Sequence, residues 1–395
     1  MSRTTGGLRS RSPLWALLAV ATCLGVFQLG IFVGKRQRTP SLTDEIVGIL
    51  GREYYKPVRL GLIQRASANG AIATLGDPYT RYLDPRDLVA ARDDAAGAYS
   101  GVGIRLAPRD GALFVAEVFA KGPAARGGVK VGDHLLAIDG KTLVPGRSSG
   151  QIRGLPGTAV RLRLSTGTDK PRDITLRRER VTAPAVTGRI ERRGGVAVGR
   201  LQLFEFTRGA GTELGLRTRE LLRQGAKGLV LDLRGDPGGL VDEAVRSASV
   251  FLPKGTQIAT TEGAHEPRRV LRARAGAVDQ NVPLVLLVSR DSASSSEILA
   301  GALRDNKRAT LVGTRTFGKA VIQATEVLDN GGALRFTIAR YRTPGGFDIN
   351  ARGLIPSVAA EDNPATPADE GMERALDLAT GVQPPAVAPS PSVTG

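Results

Sequence analysis

The sequence predicts an α/β protein whose main body is a partly parallel sheet of β-α-β units. Ahead of that body it predicts a separate β-rich module, a helical stretch and an apolar N-terminal run. Three observations carry this reading. From Val196 onward, buried-strand runs such as Gly228 to Leu233 and Pro283 to Ser289 alternate with helical patterns, the order that builds parallel sheets. Between Tyr99 and Arg180, short alternating runs are separated by glycine turns instead. Leu14 to Gly34 is 21 residues without a charge.

That apolar run is long enough to cross about 30 Å of hydrocarbon. Arg3, Arg9 and Arg11 precede it, which favours a cytoplasmic N-terminus and an exported remainder. Lys35, Arg36 and Arg38 follow it and pull the other way. The expectation is a single-pass anchor in the cell membrane (unit 1–40, span about 14–34), with the rest of the chain periplasmic or otherwise extracytoplasmic. A cleaved secretory signal is the alternative. Its apolar core is usually about 7 to 15 residues, whereas Leu29, Ile31, Phe32 and Val33 prolong this one. Cys23, inside the run, reads as a small apolar residue.

Residues 41–98 read as helical. Ser41 can cap a helix running to Arg65, Asp44 and Glu45 lie in its first turn, and Ile46, Ile49 and Leu50 recur at helical spacing. A second helix ends near Gly76, and Asp77 to Pro85 has the Asp and Pro density of a turn. Residues 99–182 form the β module, with strands starting at Gly101, at Leu113 to Val118 and at His134 to Ile138, and a short helix at Gly122 to Ala125. Arg161 and Arg163 alternate with Val160, Leu162 and Leu164, a strand with one wet face.

The main body, 183–380, places the loop Arg234-Gly235-Asp236-Pro237-Gly238-Gly239 after its first buried strand and a helix from about Leu240 to Phe251 after the loop. A helix follows Ser294-Ser295-Ser296-Glu297, the strand Thr310 to Val312 leads into Gly313 to Ala320, and Val321-Ile322 begin another strand. Residues 381–395 are rich in Pro, Ala and Ser and read as a disordered tail.

Composition removes several chemistries. With 55 Lys+Arg against 38 Asp+Glu the net charge is +17. Six of these charges flank the apolar run and a further six lie between Arg161 and Arg193, where ten basic residues meet four acidic ones. A solvated arginine face explains that stretch better than nucleic acid, because aromatics to stack bases are few. One Cys permits no disulfide, and Cys23, His134 and His265 lie in three separate segments, so a Cys/His zinc site is excluded. No cofactor or metal is expected. A histidine base for serine chemistry would have to be His134 or His265, and His134, inside a strand, reads as structural.

Two readings compete for Gly313 to Lys319. The spacing G-x-x-x-x-G-K fits a phosphate-cradling loop, but Ala320 stands where a magnesium-ligating Ser or Thr is needed, and Val321-Ile322 continue as strand rather than helix. The stronger reading joins Lys319 to Ser294. A serine at a strand-to-helix junction sits where helix N-terminal N–H groups can stabilise an oxyanion. Lysine can be its base if burial lowers a pKa of about 10.4 toward neutrality, and Phe317, Val321 and Ile322 could supply apolar surroundings. Ser294-x-x-Glu297 also matches a capping box, which is compatible with either role.

The β module resembles a PDZ domain, on the glycine-flanked loop Gly101-Val102-Gly103-Ile104, the run GPAARGGVKVGDHLLAIDG and the later IRGLPGTAVRLRL. The resemblance implies that Gly101, Val102, Gly103 and Ile104 bind a polypeptide C-terminus. The whole chain from about Gly70 to Val358 resembles the carboxy-terminal processing proteases, PDZ-containing serine proteases with a Ser-Lys pair. It carries, in order, AIATLGDPYTRYLDP, GRLQLFEF, LVLDLRGDPGGL, DSASSSEILAGALRDN, LVGTRTFGKAVIQ and RFTIARYRTPGGFDINARGLIP.

The resemblance implies a crotonase-like protease core with an inserted PDZ domain. Ser294 is implied as nucleophile, Lys319 as base 25 residues on and Gln323 as its orienting partner, with an oxyanion hole from Ser295 N–H and Gly238 or Gly239. If Val321-Ile322 are strand, Lys319 and Gln323 share a face by period 2. Ser295 and Ala320 stand where the family has alanine and glycine. The expected function is endoproteolysis near exposed C-termini, with protein or peptide tails as substrates. Arg153 is a possible contact through which the PDZ domain gates the site. A membrane-tethered PDZ adaptor on an inactive protease scaffold is the alternative.

Overall fold

The computed structural model describes residue 43 and residues 46–49, 59–109, 111–143, 149–362, 366 and 368–381. The expected span 14–34 and all but Gly381 of the expected tail 381–395 lie outside the described residues. Among the described residues no helix is long and apolar enough to cross a membrane. The chain divides into two units at Gly76 and Asp77. In the first, residues 46–49 are helical and α1 spans Leu60–Ala73. The helix expected to run to Arg65 does not do so, because Arg59 is non-helical and α1 starts after it.

The second unit opens with a turn in which Asp77 Oδ1 accepts from Tyr79 N–H at 2.9 Å and Oδ2 from the Thr80 hydroxyl at 2.6 Å. The segment expected to be all turn also holds a short strand, β1 (Arg81–Leu83), and Asp84 then caps α2 (Pro85–Ala95) by accepting from Arg86 and Asp87 N–H. β2 (Ala98–Gly101) leads into the β module: β3 (Ile104–Arg109), β4 (Ala112–Val118), α3 (Pro123–Arg126), β5 (His134–Ile138), β6 (Lys141–Thr142), β7 (Ala159–Ser165) and β8 (Arg172–Arg177). The sheet order is β3-β4-β5-β7-β8, with β6 on β5. β9 (Glu179–Thr182) returns antiparallel to β2, so a two-stranded ribbon closes the module. Val160, Leu162 and Leu164 enter its core beside Leu135 and Ile138, while Arg161 and Arg163 face out.

The main body continues with β10 (Val186–Arg193), β11 (Val196–Leu203), α4 (Ala210–Arg223), β12 (Gly228–Asp232), α5 (Val241–Ser249), β13 (Gln257–Glu262), β14 (Arg269–Arg272) and β15 (Leu284–Val288). It ends with α6 (Ser295–Asp305), β16 (Thr310–Gly313), β17 (Val321–Val327), β18 (Ala333–Arg342), β19 (Val358–Ala359) and α7 (Glu370–Ala379). The sheet β10-β11-β12-β15-β16-β19 is parallel from β11 onward. Every residue of β12 and β15 is buried. Alternate side chains serve opposite faces: Leu229, Leu231, Leu284 and Leu286 pack with the cluster holding α4, α5 and α6, whereas Val230, Val285 and Leu287 pack with Met372, Ala375 and Leu376 of α7. Covering both faces is what a parallel sheet requires, and each fully buried Leu or Val contributes roughly 1.5 to 3 kcal/mol.

A second sheet, β1-β18-β13-β14 with β17 on β18, brings the segment after Lys319 alongside the turn before β1. At the C-terminal end of β12, Arg234 pairs with Asp232 at 2.9 Å and with Asp369 at 2.8 Å. This fixes the first residue of the loop that carries Gly238 and Gly239.

Candidate active site

Ser294 is the N-cap of α6 at φ 56°, ψ −114°, a strained conformation for a residue with a side chain. Such strain costs about 1 to 3 kcal/mol and persists only where its surroundings impose it. Here Glu297 Oε2 accepts from Ser294 N–H at 3.0 Å, as the S-x-x-E spacing anticipates. The Tyr341 hydroxyl lies 2.9 Å from Ser294 O and 2.8 Å from Lys319 O, sharing its proton between them. The neighbouring hydroxyls are committed to backbone carbonyls: Ser292 to Leu233, Ser295 to Gly239 and Ser296 to Asp236. The half-buried Ser294 instead lines a cleft of about 750 Å³ that also holds Gly238, Gly239, Lys319 and Gln323.

Lys319 precedes β17 and is positioned through its backbone. Glu297 Oε2 accepts from Lys319 N–H at 2.8 Å, and Oε1 accepts from Gly318 N–H at 2.8 Å and from the Thr316 hydroxyl at 2.5 Å. The Lys319 amine donates to Gln323 Oε1 at 3.3 Å and lies 4.8 Å from the Tyr79 ring centroid. Gln323 in turn donates to Tyr79 O at 2.5 Å, so its amide is held with the oxygen toward the amine. Burial lowers the Lys319 pKa, Arg335 and Arg81 lower it further, and Asp77 opposes them. The apolar surroundings differ from expectation: Val321 and Ala320 are buried, but Phe317 is 57% exposed because its side chain turns outward. The Lys319–Gln323 contact also does not rest on simple alternation, since β17 starts after Lys319 and its register shifts between Ile322 and Gln323.

The phosphate-loop reading fails on charge. The Gly318 and Lys319 N–H groups that would cradle a phosphate already face the Glu297 carboxylate, and the following segment is a strand. Neither histidine lines the cleft: His134 stacks on Phe114 in β5 at 4.8 Å, and His265 borders a separate cavity beside β18.

Gly238 and Gly239 bring the β12 loop against Ser294. Gly238 has φ 99°, and a Cβ on it would lie 2.6 Å from Ala293 O and 2.8 Å from both Ser294 Cβ and Ser295 N, so no side chain fits. Its N–H donates to Asp236 Oδ1 at 2.8 Å. Gly239 is bridged to Phe206 through the flanking groups, Gly238 O and Leu240 N–H. Its own carbonyl points the other way and accepts from the Ser295 hydroxyl at 2.9 Å.

In the β module, Val102 O and Gly103 O accept from Ala124 and Phe119 N–H, and Gly103 has φ 78°. Tyr99 lies against this loop, its hydroxyl 3.4 Å from Ile104 O and its ring 4.7 Å from the Arg153 guanidinium. Arg105 ties the module to the main body, 3.4 Å over the Phe204 ring and donating to Pro184 O at 2.9 Å.

The geometry thus gathers Ser294, Lys319, Gln323, Gly238 and Gly239 at one cleft, with the backbone of buried Ser295 against Gly238, and sets Gly101 to Ile104 in the β module. It adds Glu297, which the sequence presents only as a cap, the Tyr79 carbonyl, delivered by the Asp77 turn, and Arg81 and Arg335, which no sequence signal marks.

Comparison with known proteins bears on the same residues. The model of peptidase family S41 matches residues 197–360, and a PDZ domain model matches 94–149. A carboxyl-terminal-processing protease of Synechocystis sp. is 37% identical over 323 residues, 78% of this chain and 75% of that protein. The chain belongs to peptidase family S41. This S41 enzyme is a serine-type peptidase of the C-terminal processing group with a PDZ domain. It is also similar to the carboxy-terminal processing protease CtpA of Bacillus subtilis, at 29% identity over 87% of this chain and 75% of that one. The solved photosystem II D1 C-terminal processing protease is 32% identical, with a TM-score of 0.51, and covers 81% of the S41 enzyme and 87% of its own chain.

Proposed function

We propose that the chain is an endopeptidase that cuts proteins near their C-termini, with Ser294 as nucleophile and Lys319 as its base. The observation that carries this is the Lys319 amine, depressed in pKa and held by Gln323 in the cleft that Ser294 lines. As Ser294 Oγ attacks the peptide carbonyl its proton passes to the neutral amine, giving a tetrahedral oxyanion and a Lys319 ammonium. The ammonium returns the proton to the leaving amine, and an ester to Ser294 remains. A water then gives a proton to Lys319 and attacks the ester; the Ser294 Oγ–carbon bond breaks, Lys319 returns the proton to Oγ, and the new carboxyl terminus leaves. Among the described residues no hydrogen bond joins Lys319 Nζ to Ser294 Oγ, so the amine has to turn its lone pair to the hydroxyl as substrate binds, while an N–H can stay on Gln323 Oε1; apo geometry of this looseness is usual.

For the oxyanion we assign the N–H groups of Ser295 and Gly239. Gly238 N–H is occupied by Asp236, whereas among the described residues no hydrogen bond occupies Gly239 N–H, and the Gly239 carbonyl meets the Ser295 hydroxyl. Gly101, Val102, Gly103 and Ile104 would take the tail carboxylate, their inward carbonyls being occupied at Val102 and Gly103. The phenol of Tyr99 now lies on that loop and would have to yield to the tail. The Arg153 guanidinium over the Tyr99 ring supports reading it as the contact through which the module gates the site. The uncharged run Leu14 to Gly34 supports a membrane-anchored enzyme with its catalytic part exported, which protease protection of sealed vesicles would test.

The test is to incubate the purified enzyme with an unstructured protein ending in apolar residues. Cleavage is expected, unaffected by chelators and lost in Ser294→Ala and Lys319→Ala. Tail binding without cleavage would favour the adaptor, and ATP hydrolysis would restore the phosphate loop.

A further inference from the structure

Two arginines in the cleft lower the Lys319 pKa but make no contact in the chemistry above. Arg81 on β1 and Arg335 on β18 are directly opposed in the antiparallel register, and both line the cleft of Ser294 and Lys319. Like charges directly opposite one another destabilise a strand pair. Arg335 is also partly buried, which adds a desolvation cost. Elsewhere the chain supplies arginines with contacting acids, as for Arg234 with Asp369, Arg172 with Asp133 and Arg180 with Asp93. Among the described residues neither Arg81 nor Arg335 has an ion pair. Asp94 at the end of α2 acts on Arg335 only at a distance. Asp87 and Glu205 also line the cleft, and Asp77 faces Lys319 from the turn before β1.

Two guanidinium groups side by side offer planar donor forks that match a carboxylate. A bound carboxylate would relieve the repulsion that the fold leaves uncompensated. We propose that Arg81 and Arg335 form a carboxylate-binding subsite that selects polypeptides with an acidic side chain near the bond to be cut. This rests on the Ser294–Lys319 reading of the cleft. It carries a second consequence. The same two arginines hold the Lys319 amine toward its neutral form, so a carboxylate bound between them partly offsets that effect, and the acid limb of activity lies at higher pH for acidic substrates than for neutral ones.

The test uses the full chain in detergent and fluorogenic peptides carrying Glu or Gln at each position around the scissile bond, with free or amidated C-termini. Wild type is expected to favour one Glu peptide over its Gln partner by about tenfold in kcat/KM. In Arg81→Gln and Arg335→Gln the ratio should fall to about twofold or less, with Arg335→Lys keeping part of it because the charge remains. Arg81, exposed on its strand, gives the same reading should Arg335→Gln fail to fold. If the preference that disappears is instead for a free over an amidated terminus, the carboxylate read is that of the tail and the side-chain assignment is wrong. A Glu-to-Gln ratio near one in wild type, or unchanged in both variants, overturns the subsite. Anisotropy of the same peptides on Ser294→Ala separates the two readings: Glu-dependent binding with no cleavage by wild type would sink the Ser-Lys mechanism and leave the subsite standing.

Discussion

The Glu297 carboxylate accepts the backbone N–H of Lys319 at 2.8 Å through the same oxygen that accepts the N–H of Ser294 at 3.0 Å. One buried group therefore fixes the spacing between the strained serine and the lysine segment. Burial pushes Glu297 above the usual carboxylate pKa, while hydrogen bonds from Thr316, Lys319, Gly318 and Ser294 draw it back. All four donors need oxygen, not an amide NH2. Glu297→Gln is expected to lose about 2 to 4 kcal/mol of stability from the misplaced donors and, through displaced geometry, about a hundredfold in kcat. Urea titration and steady-state kinetics check both, and an unchanged kcat would remove Glu297 from the site.

Gln323 presents a neutral oxygen to the Lys319 amine and is anchored by Tyr79 O. Gln323→Glu would place a negative charge there and lose the anchor. An opposite charge at contact favours the ammonium and raises its pKa by about 1 to 3 units. Activity that needs the neutral amine would then appear only at higher pH. The acid limb of kcat/KM should move up by at least about one unit, with a loss at neutral pH and partial recovery in alkali. A profile superimposable on wild type would contradict this role.

Gly238 is confined twice, by φ 99° and by a Cβ position 2.8 Å from Ser294 Cβ. Gly238→Ala must adopt a conformation costing about 1 to 3 kcal/mol and push Ser294 aside. Near-complete loss of cleavage is expected, with the PDZ segment still folded by NMR. A fully active variant would show that the β12 loop does not contact the serine as described.

Asp236 is raised to about 8, chiefly by burial and also by Glu205, against the Gly238 and Ser296 hydrogen bonds that draw it down, and among the described residues its Oδ2 has no hydrogen-bond partner. The folded state thus holds a proton that the unfolded chain releases near pH 4, so stability falls as pH rises from about 4 to about 8. Asp236→Asn keeps an oxygen for Gly238 N–H and has nothing to ionise. Its melting temperature should gain on wild type progressively across that window, with little difference below pH 4; a constant offset would refute the assignment.

Much of the site is legible in the sequence because its parts are local. A serine opening a helix after a buried strand, a glycine pair closing the preceding β-α turn and a lysine after G-x-x-x-x-G each follow from chain-neighbour geometry. What misleads is side-chain direction. Phe317 adjoins Lys319 in sequence yet turns out to solvent, and Gln323 reaches Lys319 through a register shift rather than by alternation. Asp77 to Pro85 reads as turn because a three-residue strand is too short for periodicity; pairing with β18 is what makes β1 a strand.

The sequence by itself determined the order of elements, the parallel β-α-β body, the exclusion of a Cys/His zinc site, and which serine and lysine stand at element ends. Only the tertiary structure decided that Glu297 joins Ser294 to Lys319, that Asp236 occupies the N–H of Gly238, and that Arg81 meets Arg335 in the cleft. Propensity and periodicity act over a few residues. Asp236 and Gly238 are two residues apart, but the contacts that assemble the cleft span 19 residues from Thr316 to Glu297 and 244 from Tyr79 to Gln323. Sheet register and burial set them, and neither is encoded in any short stretch of chain.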